Sequence, residues 1–194
     1  MEPITLRTER LLLRPLEESD TEPVYAACQD PEIRRWTPVP DPYEREHAVD
    51  FVSRLSPAGW REDTMYSFGF FTRESGALAG TVGLVRLAQL RTPERQAELG
   101  YWAAKEQRGR GYTVEAARAV IDWAFSGLGV ERLEWVAEAG NEPSRAVALR
   151  LGFVQEGLQR GRIVHRGTRR DAWVAALLPS DWGRAPVTPY LPAR

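Results

Sequence analysis

Ala97-Glu98-Leu99-Gly100-Tyr101-Trp102-Ala103, then Arg108-Gly109-Arg110-Gly111-Tyr112-Thr113, then Val114-Glu115-Ala116-Ala117: this stretch decides how the chain is read. An apolar run reads as a strand, a loop with two glycines follows, and an amphipathic helix begins. Along that helix Val114, Ala117, Ile121, Ala124 and Leu128 recur at spacings of three and four. Glu115, Arg118, Asp122 and Ser126 fall on the other side, which is a helical period. Gly127 and Gly129 supply the stop. Glycine lets backbone approach a ligand closely and adopt positive φ. A helix N-terminus adds free N–H groups and partial positive charge. Together they suit a pyrophosphate, and Arg108 and Arg110 add forked donors. The loop lacks both the G-x-G-x-x-G spacing of dinucleotide folds and the G-K-[ST] element of P-loops. By itself it also fits a plain strand–loop–helix connection with two solvated arginines.

Upstream, Leu11–Leu16 reads as a first strand. Ser19-Asp20-Thr21-Glu22 has the form of a capping box for a helix through Val24, Tyr25 and Cys28. Asp30-Pro31 ends that helix, because the residue before proline resists the α conformation. Asp41 as cap, Pro42 at the first position and Glu44 in the first turn start a second helix. Ala48, Phe51, Val52 and Leu55 form its apolar face, and Ser56-Pro57-Ala58-Gly59 closes it. Met65–Thr72 and Leu78–Leu87 read as strands joined by a hairpin at Ser75-Gly76. Downstream, Leu133–Ala137 is a strand, and Pro143–Leu151 a short helix with Gly152 at its C-cap. Phe153–Gln159 and Asp171–Leu178 finish as strands. The order implies an α/β (α+β) mixed sheet of about seven strands with helices on both faces.

The 194 residues fit one domain, drawn here as 1–184 with a loose tail at 185–194. Hydrophobic residues at 43% and charged residues at 27% are ordinary for a soluble globular chain. A formal net charge of −1 favours neither nucleic acid nor an anionic membrane. Leu11-Leu12-Leu13 is far too short to span a bilayer, and no signal peptide is apparent, so a cytoplasmic protein is expected. One cysteine, Cys28, excludes an intrachain disulfide and reads as a buried thiol. Two histidines, His47 and His165, exclude a His-rich metal site, and no metal is expected. No G-x-S-x-G elbow is present.

A second segment carries polar chemistry. Asn141 stands just before a helix, Ser144 lies in its first turn, and Leu151-Gly152-Phe153 follows. Taken singly, Asn141 fits a helix cap and Ser144 a first-turn hydroxyl. The two segments together resemble the GNAT superfamily of N-acetyltransferases, whose coenzyme loop reads [RQ]-x-x-G-x-[GA]. Thr113 stands where that pattern has glycine or alanine; its methyl could crowd a pyrophosphate, or its hydroxyl donate to one. Thr8-Glu9-Arg10-Leu11-Leu12-Leu13-Arg14-Pro15, Glu98-Leu99-Gly100-Tyr101-Trp102, Asn141-Glu142-Pro143-Ser144, Leu151-Gly152-Phe153-Val154-Gln155-Glu156-Gly157 and Arg170-Asp171-Ala172-Trp173 are similar to the ribosomal-protein-acetylating (Rim-type) branch.

The resemblance implies a mostly antiparallel sheet, splayed between the fourth strand (Ala97–Ala103) and the fifth (Leu133–Ala137), with acetyl-CoA in the gap. Backbone groups of Tyr101 and Ala103, flanking Trp102, would pair with pantetheine. Amides from Gly109 through Arg110, Gly111 and Tyr112 to Thr113 would hold the pyrophosphate. Asn141 would bond pantetheine, and Ser144 would lie near the thioester sulfur. The reaction would be direct attack by a neutral amine, with Glu98 taking its proton; Glu98 also fits a solvent-facing strand residue. Trp36, Tyr43, Trp60 and Tyr66 could line the acceptor pocket or pack the core. The basic run Arg160–Arg170 could be a solvated hairpin or a surface for an acidic partner or the coenzyme's adenosine phosphate. The acceptor would be a protein N-terminal amine or a small-molecule amine. A succinyl-CoA-preferring relative and a non-catalytic acyl-CoA sensor are the alternatives. The branch also suggests a homodimer.

Overall fold

The computed structural model describes residues 1–192. Its strands are β1 (Leu6–Arg7), β2 (Leu11–Arg14), β3 (Tyr66–Thr72), β4 (Leu78–Val85), β5 (Gln96–Ala103), β6 (Arg132–Glu138), β7 (Val154–His165) and β8 (Thr168–Leu177). They follow the order β1-β2-β3-β4-β5-β6-β8-β7. The sheet is mixed and mostly antiparallel, as expected, with eight strands instead of about seven. The extra one is β1, whose two residues pair with Leu12 and Leu13 and are too short to show a period of two.

The chain forms two compact units. One comprises Met1–Val85 and Leu99–Val120, the other Arg86–Glu98 and the residues from Ile121 onward. In the first unit β1 to β4 run as an antiparallel meander. Every residue of β3 is buried, Ser67 and Thr72 included, which explains why no charged residue interrupts it. Leu16, Val24, Cys28, Ile33, Tyr43, Ala48, Val52, Phe71 and Leu78 make one core cluster.

The helices of this unit depart from expectation in their boundaries. Helix α1 (Thr21–Ala27) is preceded by a 3-10 turn over Glu18–Asp20. The reciprocal cap is made by Asp20, which accepts from the Glu17 N–H at 2.7 Å, and not by Ser19 with Glu22. Asp20 is also held by Arg14 at 2.7 Å, so the strand fixes where the helix begins. Asp30-Pro31 does end α1, but it also starts α2 (Pro31–Trp36), which the sequence reading missed. Asp30 accepts from the Glu32 N–H at 3.1 Å, and Pro31 gives up a donor the first turn does not use. Asp41 does not cap α3 (Arg45–Asp50); Glu44 does, and Asp41 pairs with Arg34 at 3.3 Å. Pro57 does not end the run either. A π turn over Phe51–Leu55 leads into α4 (Ser56–Glu62), with Pro57 in its first turn. Because the backbone is already helical through Leu55 and Ser56, Pro57 lies inside a continuous run, and its missing N–H leaves one acceptor of the π turn unused. Asp63, left-handed at φ 53°, closes it.

In the second unit β5 pairs with β6 in parallel, β6 with β8 and β8 with β7 antiparallel. Helix α5 (Tyr112–Ser126) spans both units in sequence, and α6 (Glu142–Arg150) follows β6. Gly129 at φ 68° and Gly152 at φ 91° turn the chain after α5 and α6, as their spacing predicts. The last hairpin is longer than read: β7 continues through Arg160–His165, and Arg166-Gly167 turns into β8. Residues 185–192 carry no helix or strand, yet the N–H groups of Val187 and Thr188 bond the Glu131 carboxylate at 3.0 Å. The final two residues of the expected tail lie outside the described residues. None of the described helices is long and apolar enough to cross a membrane.

Candidate functional site

In the first unit, β5 delivers the chain into the glycine loop. The Trp102 carbonyl faces β4: a Cβ placed on Gly80 would lie 2.2 Å from it. Strand alternation then directs the N–H and C=O of Tyr101 and Ala103 toward the opposite edge. The Ala103 carbonyl accepts from Arg108 Nε at 3.2 Å and Nη2 at 3.0 Å, and the Arg108 guanidinium also pairs with Asp30. Arg108 therefore braces the start of the loop against the turn between α1 and α2, where the sequence reading had it as charge facing a pyrophosphate.

Gly109 and Gly111 adopt φ 77° and 79°, a region costly for any residue with a Cβ. No atom lies within 4 Å of where a Cβ on Gly109 would stand, so its backbone is open to close approach. The Glu115 N–H bonds the Gly111 carbonyl at 3.1 Å, which starts α5. Its first turn, with Tyr112 and Thr113, then presents amides without helical acceptors. This arrangement fits a pyrophosphate on backbone donors, with Arg110 exposed beside it.

In the second unit, the β5–β6 ladder covers Gln96↔Arg132, Ala97↔Leu133 and Glu98↔Glu134 and ends there. Glu98 sits at that last rung. Its carboxylate is 14% exposed and lies 2.8 Å from Arg86 Nε. Burial pushes its pKa upward, and the neighbouring Glu134 adds to this, against the pull of Arg86 and Arg162. A carboxylate of raised basicity at the end of a ladder suits proton abstraction. Glu134 is itself held by Arg132 at 3.1 Å. Arg86 and Glu134 were not singled out from sequence; the rung facing Glu98 needed the parallel register.

Asn141 caps α6, its Oδ1 accepting from the Ser144 N–H at 3.2 Å. The Ser144 hydroxyl accepts from the indole N–H of Trp135 at 3.1 Å. Trp135 is buried and orients the serine from β6, a role with no sequence signal beyond its place in an alternating strand.

The aromatic residues considered for an acceptor pocket have other surroundings. Trp60 and Tyr66 are core: Trp60 packs edge-on against Phe68 at 5.1 Å and tilted on Tyr66 at 4.9 Å. Its N–H bonds the Ser67 carbonyl at 3.0 Å. Tyr43 is buried beside Cys28 in the core cluster. Trp36 is half-buried on α2, with Arg35 stacked 4.1 Å over its ring. In the basic hairpin, His165 Nδ1 lies 3.6 Å from the buried Glu138, and Arg170 lies 3.9 Å from it.

A family model for the acetyltransferase (GNAT) domain matches residues 10–154, from the second strand through the glycine loop and α6 to the first residue of β7. The chain belongs to the GNAT family of acetyltransferases. Among its GNAT relatives is the uncharacterized N-acetyltransferase YoaA of Bacillus subtilis, 31% identical over 89% of this chain and 96% of YoaA. The [ribosomal protein uS5]-alanine N-acetyltransferase of Escherichia coli is 24% identical over 92% of this chain and 93% of its own length. A solved structure from Vibrio cholerae, assigned as a ribosomal-protein-serine acetyltransferase, superposes with TM-score 0.82 at 29% identity. It covers 92% of this chain and all of its own. The protein is thus an acetyltransferase enzyme with the GNAT fold, and its relatives include Rim-type proteins.

Proposed function

We propose that this GNAT enzyme transfers an acetyl group from acetyl-CoA to a primary amine, in a ternary complex and without an acyl-enzyme. The observation that carries the reading is the pair of left-handed glycines, Gly109 and Gly111, opening the first turn of α5. Bound there, acetyl-CoA supplies a thioester carbonyl open to attack. The amides from Gly109 to Thr113 hold its pyrophosphate, and the outward edge of Tyr101 to Ala103 takes the pantetheine arm. Asn141 contributes its side-chain amide. Glu98 takes a proton from the acceptor ammonium, which frees the lone pair that forms the C–N bond. As the C–S bond breaks, the Ser144 hydroxyl, oriented by Trp135, donates to the leaving sulfur. Residues 1–184 act as one acyltransferase domain.

The names of the Rim-type relatives support an N-terminal α-amine of a protein as acceptor, and a homodimer is the accompanying expectation. The test is calorimetric titration of acetyl-CoA, succinyl-CoA and CoA into wild type and Gly111→Trp. Micromolar binding that the variant loses supports the reading, and the acyl chain bound best directs an acceptor screen. Absence of binding by every CoA species sinks it. Binding without turnover of any amine makes the protein an acyl-CoA sensor instead.

A further inference from the structure

The opening segment of the chain is tied to the glycine loop by one side chain. The Arg10 N–H bonds Glu115 Oε1 at 2.9 Å, and its Nε bonds Glu115 Oε2 at 2.6 Å. Its Nη1 donates to the Arg110 carbonyl at 3.1 Å, and its guanidinium lies 4.8 Å over the Tyr112 ring. Thr8 adds a hydroxyl bond to Glu115 Oε1 at 2.6 Å. Arg10 therefore touches the loop before Gly111, the ring after it, and the first turn of α5.

These contacts have a directional consequence. The Arg110–Gly111 peptide is trans, since among the described residues the cis bond is Asp41–Pro42. In a trans peptide the C=O and the following N–H point in opposite directions. A guanidinium holding the Arg110 carbonyl thus turns the Gly111 N–H away from Arg10. A glycine with positive φ has little intrinsic preference to keep that plane fixed, so the constraint must come from a partner. Glu115 poses a second problem, because a carboxylate in the first turn of α5 would repel an anion bound at that terminus. Arg10 and Thr8 engage both of its oxygens.

We propose that Arg10 is a positioning residue for the coenzyme loop: it fixes the Arg110–Gly111 peptide so that the Gly111 amide faces the bound pyrophosphate, and it neutralises Glu115 beside that site. The assignment rests on the acyl-CoA reading above. A forked guanidinium is required, because one side chain must reach Glu115 and the Arg110 carbonyl together. Lysine keeps the charge and loses the fork.

The experiment is calorimetric titration of CoA into wild type, Arg10→Lys and Arg10→Met, with the Gly111 amide followed by 15N–1H NMR in wild type and Arg10→Lys. The expected result is about tenfold weaker binding in both variants, the size of one misdirected hydrogen bond. The CoA-induced shift of the Gly111 amide disappears in Arg10→Lys, while its melting temperature stays near wild type. Wild-type affinity in Arg10→Lys overturns the proposal, since charge alone would then suffice. So does weakened binding with the Gly111 shift intact, which would make Arg10 a general structural prop. Failure of wild type to bind CoA overturns the acyl-CoA reading itself and is distinct from either.

Discussion

Glu98 shows how one position in a sheet tunes a carboxylate. Its neighbours along β5, Ala97 and Leu99, are buried on the opposite face, and β6 sets Glu134 beside it. Burial and Glu134 raise its pKa; Arg86 and Arg162 lower it. As a general base Glu98 works only when ionised, so kcat/KM should fall as pH drops through that raised value. Glu98→Gln should lose roughly 10²–10⁴ in kcat, lose the acid limb, and keep its affinity for acetyl-CoA. Turnover within threefold of wild type would show that another group takes the proton. Arg86→Gln removes a neighbour that favours the charged form, so the acid limb should move to higher pH; an unmoved limb would disconnect it from Glu98. At Cys28, burial pushes the thiol pKa up to about 11. A thiol-specific disulfide reagent at pH 8 should therefore react slowly with the native protein and at once in urea. Rapid native labelling would contradict the packing around it.

At the scale of elements, the two turns of chain flanking the glycine loop are held by different partners. Asp30 serves two purposes there. Its side chain caps α2 and pairs with Arg108, so the turn between α1 and α2 is braced to the loop that follows β5. Asn is as good a cap as Asp but carries no charge for Arg108. Asp30→Ala should cost about 1 kcal/mol in urea unfolding, and Asp30→Asn should recover most of it. Equal losses in the two variants would mean that the charge pair, and not the cap, carries the stability. The sequence made this dipeptide legible as a helix end because proline restricts its predecessor. The same rule was silent on what began next, since a cap followed by proline serves a new helix equally well.

For the molecule as a whole, ligand and pH act on the folding equilibrium by linkage. Acetyl-CoA at a hundred times its dissociation constant should stabilise by about 2.7 kcal/mol, a rise in Tm of roughly 5–11 °C for a chain of this length. Gly111→Trp should show none, and an equal rise in the variant would place binding elsewhere. Acid works through opposed groups. Glu156 is held below its ordinary value of 4.5 by a hydrogen bond from Arg132. Burial would raise Glu115, but bonds from Thr8 and Arg10 bring it below 4.5 as well. Their contribution is present above the unfolded pKa and is lost as pH falls through the lowered folded values. Glu98 has the reverse sign: its raised folded pKa costs stability while it is ionised, and protonation relieves the cost. The urea midpoint should therefore hold or rise slightly as pH falls from 7 toward 5, then decline below about 4.5. In Glu98→Gln the initial rise should vanish; its persistence would assign the rise to another group.

By itself the sequence determined the order of the strands from β2 onward, the glycine loop at the head of α5, the cap at Asn141 and the burial of Cys28. Each rests on local constraints: periodicity, the φ freedom of Gly109 and Gly111, and side chains bonding backbone three residues away. Tertiary structure decided the rest. Arg108 turned from a ligand arm into a brace because Asp30 stands across from it, and Trp60 and Tyr66 went to the core because they pack on each other and Phe68 meets Trp60 edge-on. Trp135 reached Ser144 across the turn from β6 to α6, and Glu134 reached Glu98 and Arg10 reached Arg110 through contacts between segments far apart in sequence. Such pairings follow from strand register and packing, which no local window of residues encodes.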